Sequence, residues 1–218
     1  IVADYRKLIK FKNKSNNILL AYNRRYYSSV NYAKLFIEKN NPCIVQVEIP
    51  ENLKKIKGKE VTENIFSNSV HIFDLLRFLL GDLTFQSKLV FNNHVTRGVC
   101  ALFSSKNESV VNITCNFSAS TNFNIKIDSG KKRIQLYPIE KASLYDGISS
   151  NKISKSIKTY TPNLKKNYKI PKFEKKLKPG FFKQSIEFKK FIKYNKSNIS
   201  AKICDAIEAL KIAEKIVS

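Results

Sequence analysis

The feature that most constrains this chain is a succession of short apolar runs of period two, joined by spacers too short to hold a helix. Val111, Ile113, Cys115 and Phe117 alternate with Asn112, Thr114 and Asn116, and Phe123, Ile125 and Ile127 alternate with Asn122, Asn124 and Lys126. Successive side chains of a strand point to opposite faces, so each run reads as a strand with one apolar and one polar face. The spacers 118–121 and Asp128-Ser129-Gly130 are only a few residues long, whereas a parallel crossover needs about a dozen or more. Antiparallel hairpins are the connection that fits. Runs at 85–91, 99–103 and 132–137 follow the same logic, and Cys43, Val45, Val47 and Ile49 alternate with Ile44, Gln46 and Glu48 further upstream. The expectation is one large, mainly antiparallel open sheet.

Helical periodicity frames these strands. Residues 2–12 read as the end of a helix, and Ile18-Leu19-Leu20-Ala21-Tyr22 is an unbroken apolar run, as expected of a strand buried on both faces. Ser28 offers an N-cap to a helix over 29–39 with Tyr32, Leu35 and Phe36 on one face. A helix over 68–80 is apolar almost all round and is stopped by Gly81. The stretch 147–179, rich in Lys, Ser and Pro, reads as a long surface excursion. Two amphipathic helices close the chain, one presenting Phe181, Phe188 and Ile192 and the other Ile203, Ala206, Ile207, Leu210 and Ala213. Packed on one face of the sheet, they complete an α+β fold.

Composition narrows the function classes. The chain has 218 residues, 43% of them hydrophobic, enough for a substantial core in one or two domains. A formal charge of +23 invites an anionic partner, yet it comes from 34 Lys and only 6 Arg beside 22 Asn, whereas base-reading and bidentate phosphate sites favour Arg. The basic residues are scattered except between 152 and 178, and no recognition motif accompanies them, which argues against nucleic acid. No run of about 18 apolar residues and no signal peptide occur, so no membrane partner is expected. Cys43, Cys100, Cys115 and Cys204 show no CxxC spacing and no nearby His, so no metal site is expected. Cys43 and Cys115 fall on the apolar phase of strands as small hydrophobes, in keeping with a reducing cytoplasm. The chain begins at Ile1 with no initiator methionine, and residue 1 is expected to lie inside a longer gene product.

Two segments carry candidate chemistry. In the 68–80 helix, Asn68, His71, Asp74 and Arg77 form a polar stripe on an otherwise apolar surface. Buried polar groups need partners. One account is internal, with Asp74 on Arg77 and His71 bonded within the core; the other places His71, in the first turn, at a cleft. The second segment is Tyr22-Asn23-Arg24-Arg25-Tyr26-Tyr27, at the carboxyl end of a predicted strand, where α/β proteins receive ligands.

In that order, followed by meandering strands, these pieces resemble the Gfo/Idh/MocA family of NAD(P)-dependent oxidoreductases. The resembling segments are Ile18-Leu19-Leu20-Ala21-Tyr22-Asn23-Arg24-Arg25-Tyr26, then Ser69-Val70-His71-Ile72-Phe73-Asp74-Leu75-Leu76-Arg77-Phe78-Leu79-Leu80-Gly81-Asp82, and Asp205-Ala206-Ile207-Glu208-Ala209-Leu210. The resemblance implies that residues 1–22 are the tail of an incomplete dinucleotide-binding domain, its last helix and strand. Residues 23–218 would be the C-terminal substrate-binding and oligomerisation domain. It implies NAD or NADP, held mainly by a domain upstream, a sugar, cyclitol or nucleotide-linked sugar as substrate, and a homo-oligomer, dimer or tetramer, formed through the sheet. By the same resemblance His71 is the acid/base or orienting group at the reacting hydroxyl or carbonyl, with a pKa suited to proton transfer near neutrality. Tyr22, Asn23, Arg24, Arg25, Ser67 and Asn68 would line the substrate site. Ser67 departs from the pattern, standing where many members carry an Asp, and a serine cannot replace a carboxylate as proton acceptor. The competing expectation is a non-catalytic basic module that binds an anionic polymer or nucleic acid.

Overall fold

The period-two runs align into a single apolar row that crosses six strands. In the computed structural model, which describes residues 5–11, 18–51, 64–92, 97–117, 119–154 and 157–218, Ala101 pairs with Ile113, Ile113 with Val47, Val47 with Ile125, Ile125 with Leu136 and Leu136 with Ala142. All six are buried. Register is fixed here because a one-residue slip would turn the whole row to water.

The strands are β1 (Ile44–Pro50), β2 (Leu83–Asn92), β3 (Arg97–Ser105), β4 (Val110–Asn116), β5 (Asn124–Ser129), β6 (Lys132–Leu136), β7 (Ala142–Lys152) and β8 (Lys158–Tyr168). They form one open sheet in the order β2-β3-β4-β1-β5-β6-β7-β8. Every neighbouring pair is antiparallel except β1 with β4, which are parallel. The fold is the expected α+β open sheet. The parallel pair arises because β1 enters from a separate part of the chain and inserts beside the β2–β4 meander.

The helices are α1 (Tyr5–Ile9), α2 (Ser28–Asn40), α3 (Val70–Leu80), α4 (Lys172–Lys176), α5 (Phe181–Tyr194) and α6 (Ile203–Val217), with a 3-10 turn at Asn23–Tyr26 and a π-turn at Ile65–Ser69 leading into α3. Helix α3 lies buried between α6 and α2, which is why it is apolar almost all round. Gly81 ends it with φ +80, a conformation that favours glycine.

Several expectations change. Of the predicted helix over 2–12, Tyr5–Ile9 is helical, while 2–4 and 12 lie outside the described residues. The 18–22 run is not a doubly buried strand: Leu20 makes one antiparallel bridge to Ala201, and Ala21 is exposed, because no neighbouring strand flanks this run among the described residues. Ser28 is the first residue of α2 rather than its cap, and the buried face is Val30, Ala33, Phe36 and Ile37, with Leu35 exposed. Part of the 147–179 excursion is an edge hairpin, β7 with β8, its register interrupted by irregularities at 144–148. Its lysines suit an exposed edge strand. Finally, α5 does not cover the sheet. Phe181, Phe188 and Ile192 are exposed, and the helix packs on the Asn23–Tyr26 turn.

Candidate functional site

The two sequence segments meet where α3 begins. Tyr22 and His71 stand edge-to-face with ring centroids 5.1 Å apart, and both line a cleft of about 300 Å³ with Leu8, Leu20, Phe66, Ser67 and Leu210. The π-turn before α3 brings Ser67 and His71, four positions apart, to the same mouth. Nδ1 of His71 is buried and has no hydrogen-bond partner among the described residues, so the imidazole meets the cleft by its other edge. Burial, reinforced by the nearby Arg24 charge, lowers the His71 pKa to about 4. The ring is therefore neutral at pH 7, and the expectation of a pKa near neutrality is corrected. Burial and the Asp74 charge push the Tyr22 phenol up, so it keeps its proton and can donate.

Arg24 approaches from the Asn68 side of His71. Its Nη2 donates to Asn68 Oδ1 at 3.1 Å, and its guanidinium carbon lies 4.3 Å from the Phe123 ring centroid. Asn68 Nδ2 in turn donates to Glu51 at 3.0 Å, and Ser69 Oγ donates to the same carboxylate at 2.6 Å. Glu51 is buried at the end of β1 and thereby ties that strand to the start of α3. Neither Glu51 nor Phe123 was singled out from sequence. Phe123 opens a period-two run, and nothing in its pattern distinguishes a ring that carries a guanidinium from a core ring.

Arg25 turns the opposite way. Its Nε donates to Asp74 Oδ2 at 2.8 Å and its Nη1 to the Ile199 carbonyl at 3.2 Å, and Nη2 also approaches Asp205 at 3.5 Å. Asp74 therefore pairs with Arg25 and not with Arg77, which bonds Asp82. Burial raises the Asp74 carboxyl to about 6 against the pull of Arg25, leaving the pair ionised at neutral pH. The Asn23 side chain is likewise committed elsewhere, to the Pro179 carbonyl at 3.3 Å. Of the seven residues singled out, Tyr22, Ser67 and His71 line the cleft, Arg24 and Asn68 flank it, and Asn23 and Arg25 are built into the packing behind it.

A buried carboxylate holds this turn from outside. Glu174 Oε1 accepts from Ser28 N at 3.2 Å and from Ser28 Oγ at 2.5 Å, and lies 3.0 Å from Lys183 Nζ. It takes the place of the missing cap on α2, where negative charge is favoured by the helix dipole. Gly180, with φ +81, lies so close that a Cβ there would sit 2.2 Å from the Asn23 carbonyl. Among the described residues no three His, Cys, Asp or Glu side chains converge as a metal site would require, and no helix is long and apolar enough to cross a membrane.

No family model matches the chain, and no curated protein is similar to it. Solved structures share its fold. A dehydrogenase from Clostridium difficile superposes with a TM-score of 0.68 at 18% identity, covering 96% of this chain and 64% of its own. Levoglucosan dehydrogenase in complex with NADH and L-sorbose gives 0.70 at 13%, covering 98% and 66%. A UDP-N-acetylglucosamine 3-dehydrogenase from Acidithiobacillus ferrooxidans gives 0.66 at 11%, again covering 98% and 66%. The chain thus spans 64% to 66% of the length of these structures. At such identities the likeness is one of fold, the fold that the resemblance to the Gfo/Idh/MocA family implies.

Proposed function

We propose that this chain is the substrate-binding and oligomerisation domain of a Gfo/Idh/MocA-type oxidoreductase that acts on a hydroxyl or carbonyl of a sugar, cyclitol or nucleotide-linked sugar. The observation that carries this reading is the pairing of Tyr22 and His71 at the mouth of one cleft, on a fold shared with an NADH-bound levoglucosan dehydrogenase and a UDP-N-acetylglucosamine dehydrogenase.

The cofactor of that chemistry, NAD or NADP, is not cradled by this chain. Its six glycines are isolated, with no Gly-rich turn opening a helix, and pyrophosphate sites need such a turn. When bound by the rest of the protein, a nicotinamide gives or takes the hydride. The residues here bind and orient. Neutral His71 takes or gives one hydrogen bond at the reacting oxygen, and Tyr22 is held as a donor. Ser67, whose Oγ donates to the Asn64 carbonyl at 3.4 Å, supplies no carboxylate. Within the cleft His71 is therefore the group to which a hydroxyl proton passes. Asn23 and Arg25 position the turn that bears Tyr22 and Arg24.

The outer face of the sheet is proposed as the contact between copies. There Glu48 accepts from Asn124 at 3.2 Å and pairs with Lys126, and Gln135 donates to Asn124 at 3.0 Å, a polar lattice suited to a wet interface. Four free cysteines, two of them buried, fit the reducing cytoplasm.

The test begins with the gene upstream of Ile1, which should encode a Gly-rich strand-turn-helix. Protein from the whole reading frame, given NAD or NADP and a panel of sugars and cyclitols, should then reduce the nicotinamide. The 218-residue chain alone should show no saturable change when NADH fluorescence is titrated against it. Absence of a dinucleotide-binding unit together with absence of turnover overturns the reading, and micromolar NADH binding by the chain alone overturns the division into domains.

A further inference from the structure

Every guanidinium is permanently charged, and burying one without a counter-ion is costly. Arg6 meets Glu214, Arg25 meets Asp74, Arg77 meets Asp82 and Arg133 meets Asp128. Arg24 is different: among the described residues no carboxylate forms an ion pair with it. Its Nη1 is closed off from solvent with no carboxylate on it, and its other terminal nitrogen is bonded to a neutral amide. The neutral Tyr27 phenol is its remaining polar neighbour, while Glu51 and Glu140 attract it without forming an ion pair. Burial accordingly weakens its hold on its proton.

The surroundings hold this charge in place. Phe123 supports one face of the guanidinium, and Asn68 is fixed by the buried Glu51, so Asn68 Oδ1 is aimed at Arg24. Glu51 stays one residue removed, spent on Asn68 and Ser69. The charge is felt at the cleft, because it helps to depress His71. A side chain that needed only to stabilise the fold would be paired as Arg25 is, one position along.

We propose that Arg24 is a specificity residue whose counter-ion is the substrate, so that the molecule bound beside His71 carries an anionic group, a carboxylate or a phosphate, near the carbon that reacts. This rests on the cleft being a sugar-type substrate site. An anion there satisfies the unpaired cation, and it leaves neutral His71 free to deal with the hydroxyl.

The experiment is calorimetric titration of the full chain with D-glucuronate, D-glucose 6-phosphate and D-glucose, in parallel with Arg24→Gln and Lys106→Gln. Lys106 lies on the exposed turn between β3 and β4, within 3.7 Å of Asp82 and not among the residues lining the cleft, so its replacement removes the same unit of charge from a protein of net charge +23. One or both anionic sugars should bind about 10- to 100-fold tighter than glucose, the range of a hydrogen bond to a charged group. That preference should vanish in Arg24→Gln and survive in Lys106→Gln. The acid that wins tells carboxylate from phosphate. Glucose binding as tightly as both acids, or a preference that survives Arg24→Gln, overturns the anion inference while leaving the sugar site standing. Silence toward all three sugars overturns both.

Discussion

Arg25 and Asp74, 49 positions apart in sequence, meet as a buried two-point ion pair, with Nε donating to Oδ2 at 2.8 Å and Nη2 to Oδ1. The pair locks the turn that carries Tyr22 and Arg24 onto the helix that carries His71. Removing one partner leaves a buried charge, which costs about 3–5 kcal/mol. Asp74→Ala should therefore lower stability by about that much, relieved only in part by Asp205. An apolar double replacement, Arg25→Met with Asp74→Leu, should cost less than the sum of the two single changes. Urea unfolding of Asp74→Ala, of the two single changes and of the double replacement reads this directly. A cost below about 1 kcal/mol for Asp74→Ala would place the pair among weak surface ion pairs, against its burial.

How far the sequence announced this arrangement depends on the range of the interaction. Period-two runs and short spacers are local signals, and they delivered β3 to β6 within a few residues of their ends. The β1–β4 parallel pairing was not legible, since it joins segments far apart and leaves no trace in either. Asp74 was expected on Arg77 because helical spacing makes those two neighbours. The longer-range Arg25 won because it supplies two donors from inside the core, whereas Arg77 reaches outward to Asp82. The Lys-rich β7–β8 hairpin escaped notice for a related reason. An exposed edge strand needs no apolar face, so its alternation is faint.

Glu174 gives a second test. Helix α2 has no side-chain cap of its own, and a carboxylate from a short helix far along the chain stands in, bonded to Ser28 and paired with Lys183. Glu174→Ala should cost about 2–3 kcal/mol, because it strands a buried backbone donor and a partly buried ammonium. Glu174→Gln, which keeps an acceptor and loses the charge, should recover part of that loss. Thermal unfolding of both variants settles the order. Equal melting temperatures for wild type and Glu174→Ala would show that the contact contributes nothing.

The pH dependence follows from His71. Its pKa is about 4 in the folded chain against 6.5 when free, so between those values the unfolded chain holds a proton that the folded one refuses. Stability therefore rises with pH across that window and is lost as pH falls from about 6.5 toward about 4. The buried Asp74 has the opposite sign, since its carboxyl is raised to about 6, but it is present in both proteins of a comparison. Subtracting the stability of His71→Gln isolates the histidine. The difference should be flat above pH 7 and should turn against the wild type below about 6.5. A flat difference down to pH 4 would mean that the imidazole titrates normally and is not desolvated.

Catalysis by His71 predicts a different signature from structure by His71. In protein from the whole reading frame, His71→Ala should lower turnover by about 10² to 10⁴, the range for a positioned acid/base group, with cofactor affinity and melting temperature nearly unchanged. The melting temperature should hold because Nδ1 has no hydrogen bond to lose among the described residues. A neutral imidazole also fixes the expected pH profile. Its acid limb should lie near pH 4 and move up in Arg24→Gln, because one of the two causes that depress it is gone. Ser67→Asp asks the complementary question, since a carboxylate beside His71 would add a proton acceptor to the cleft and should pull the imidazole pKa upward. Unchanged turnover in His71→Ala would remove it from the reaction, and a fall in melting temperature with normal turnover per folded molecule would make it part of the core.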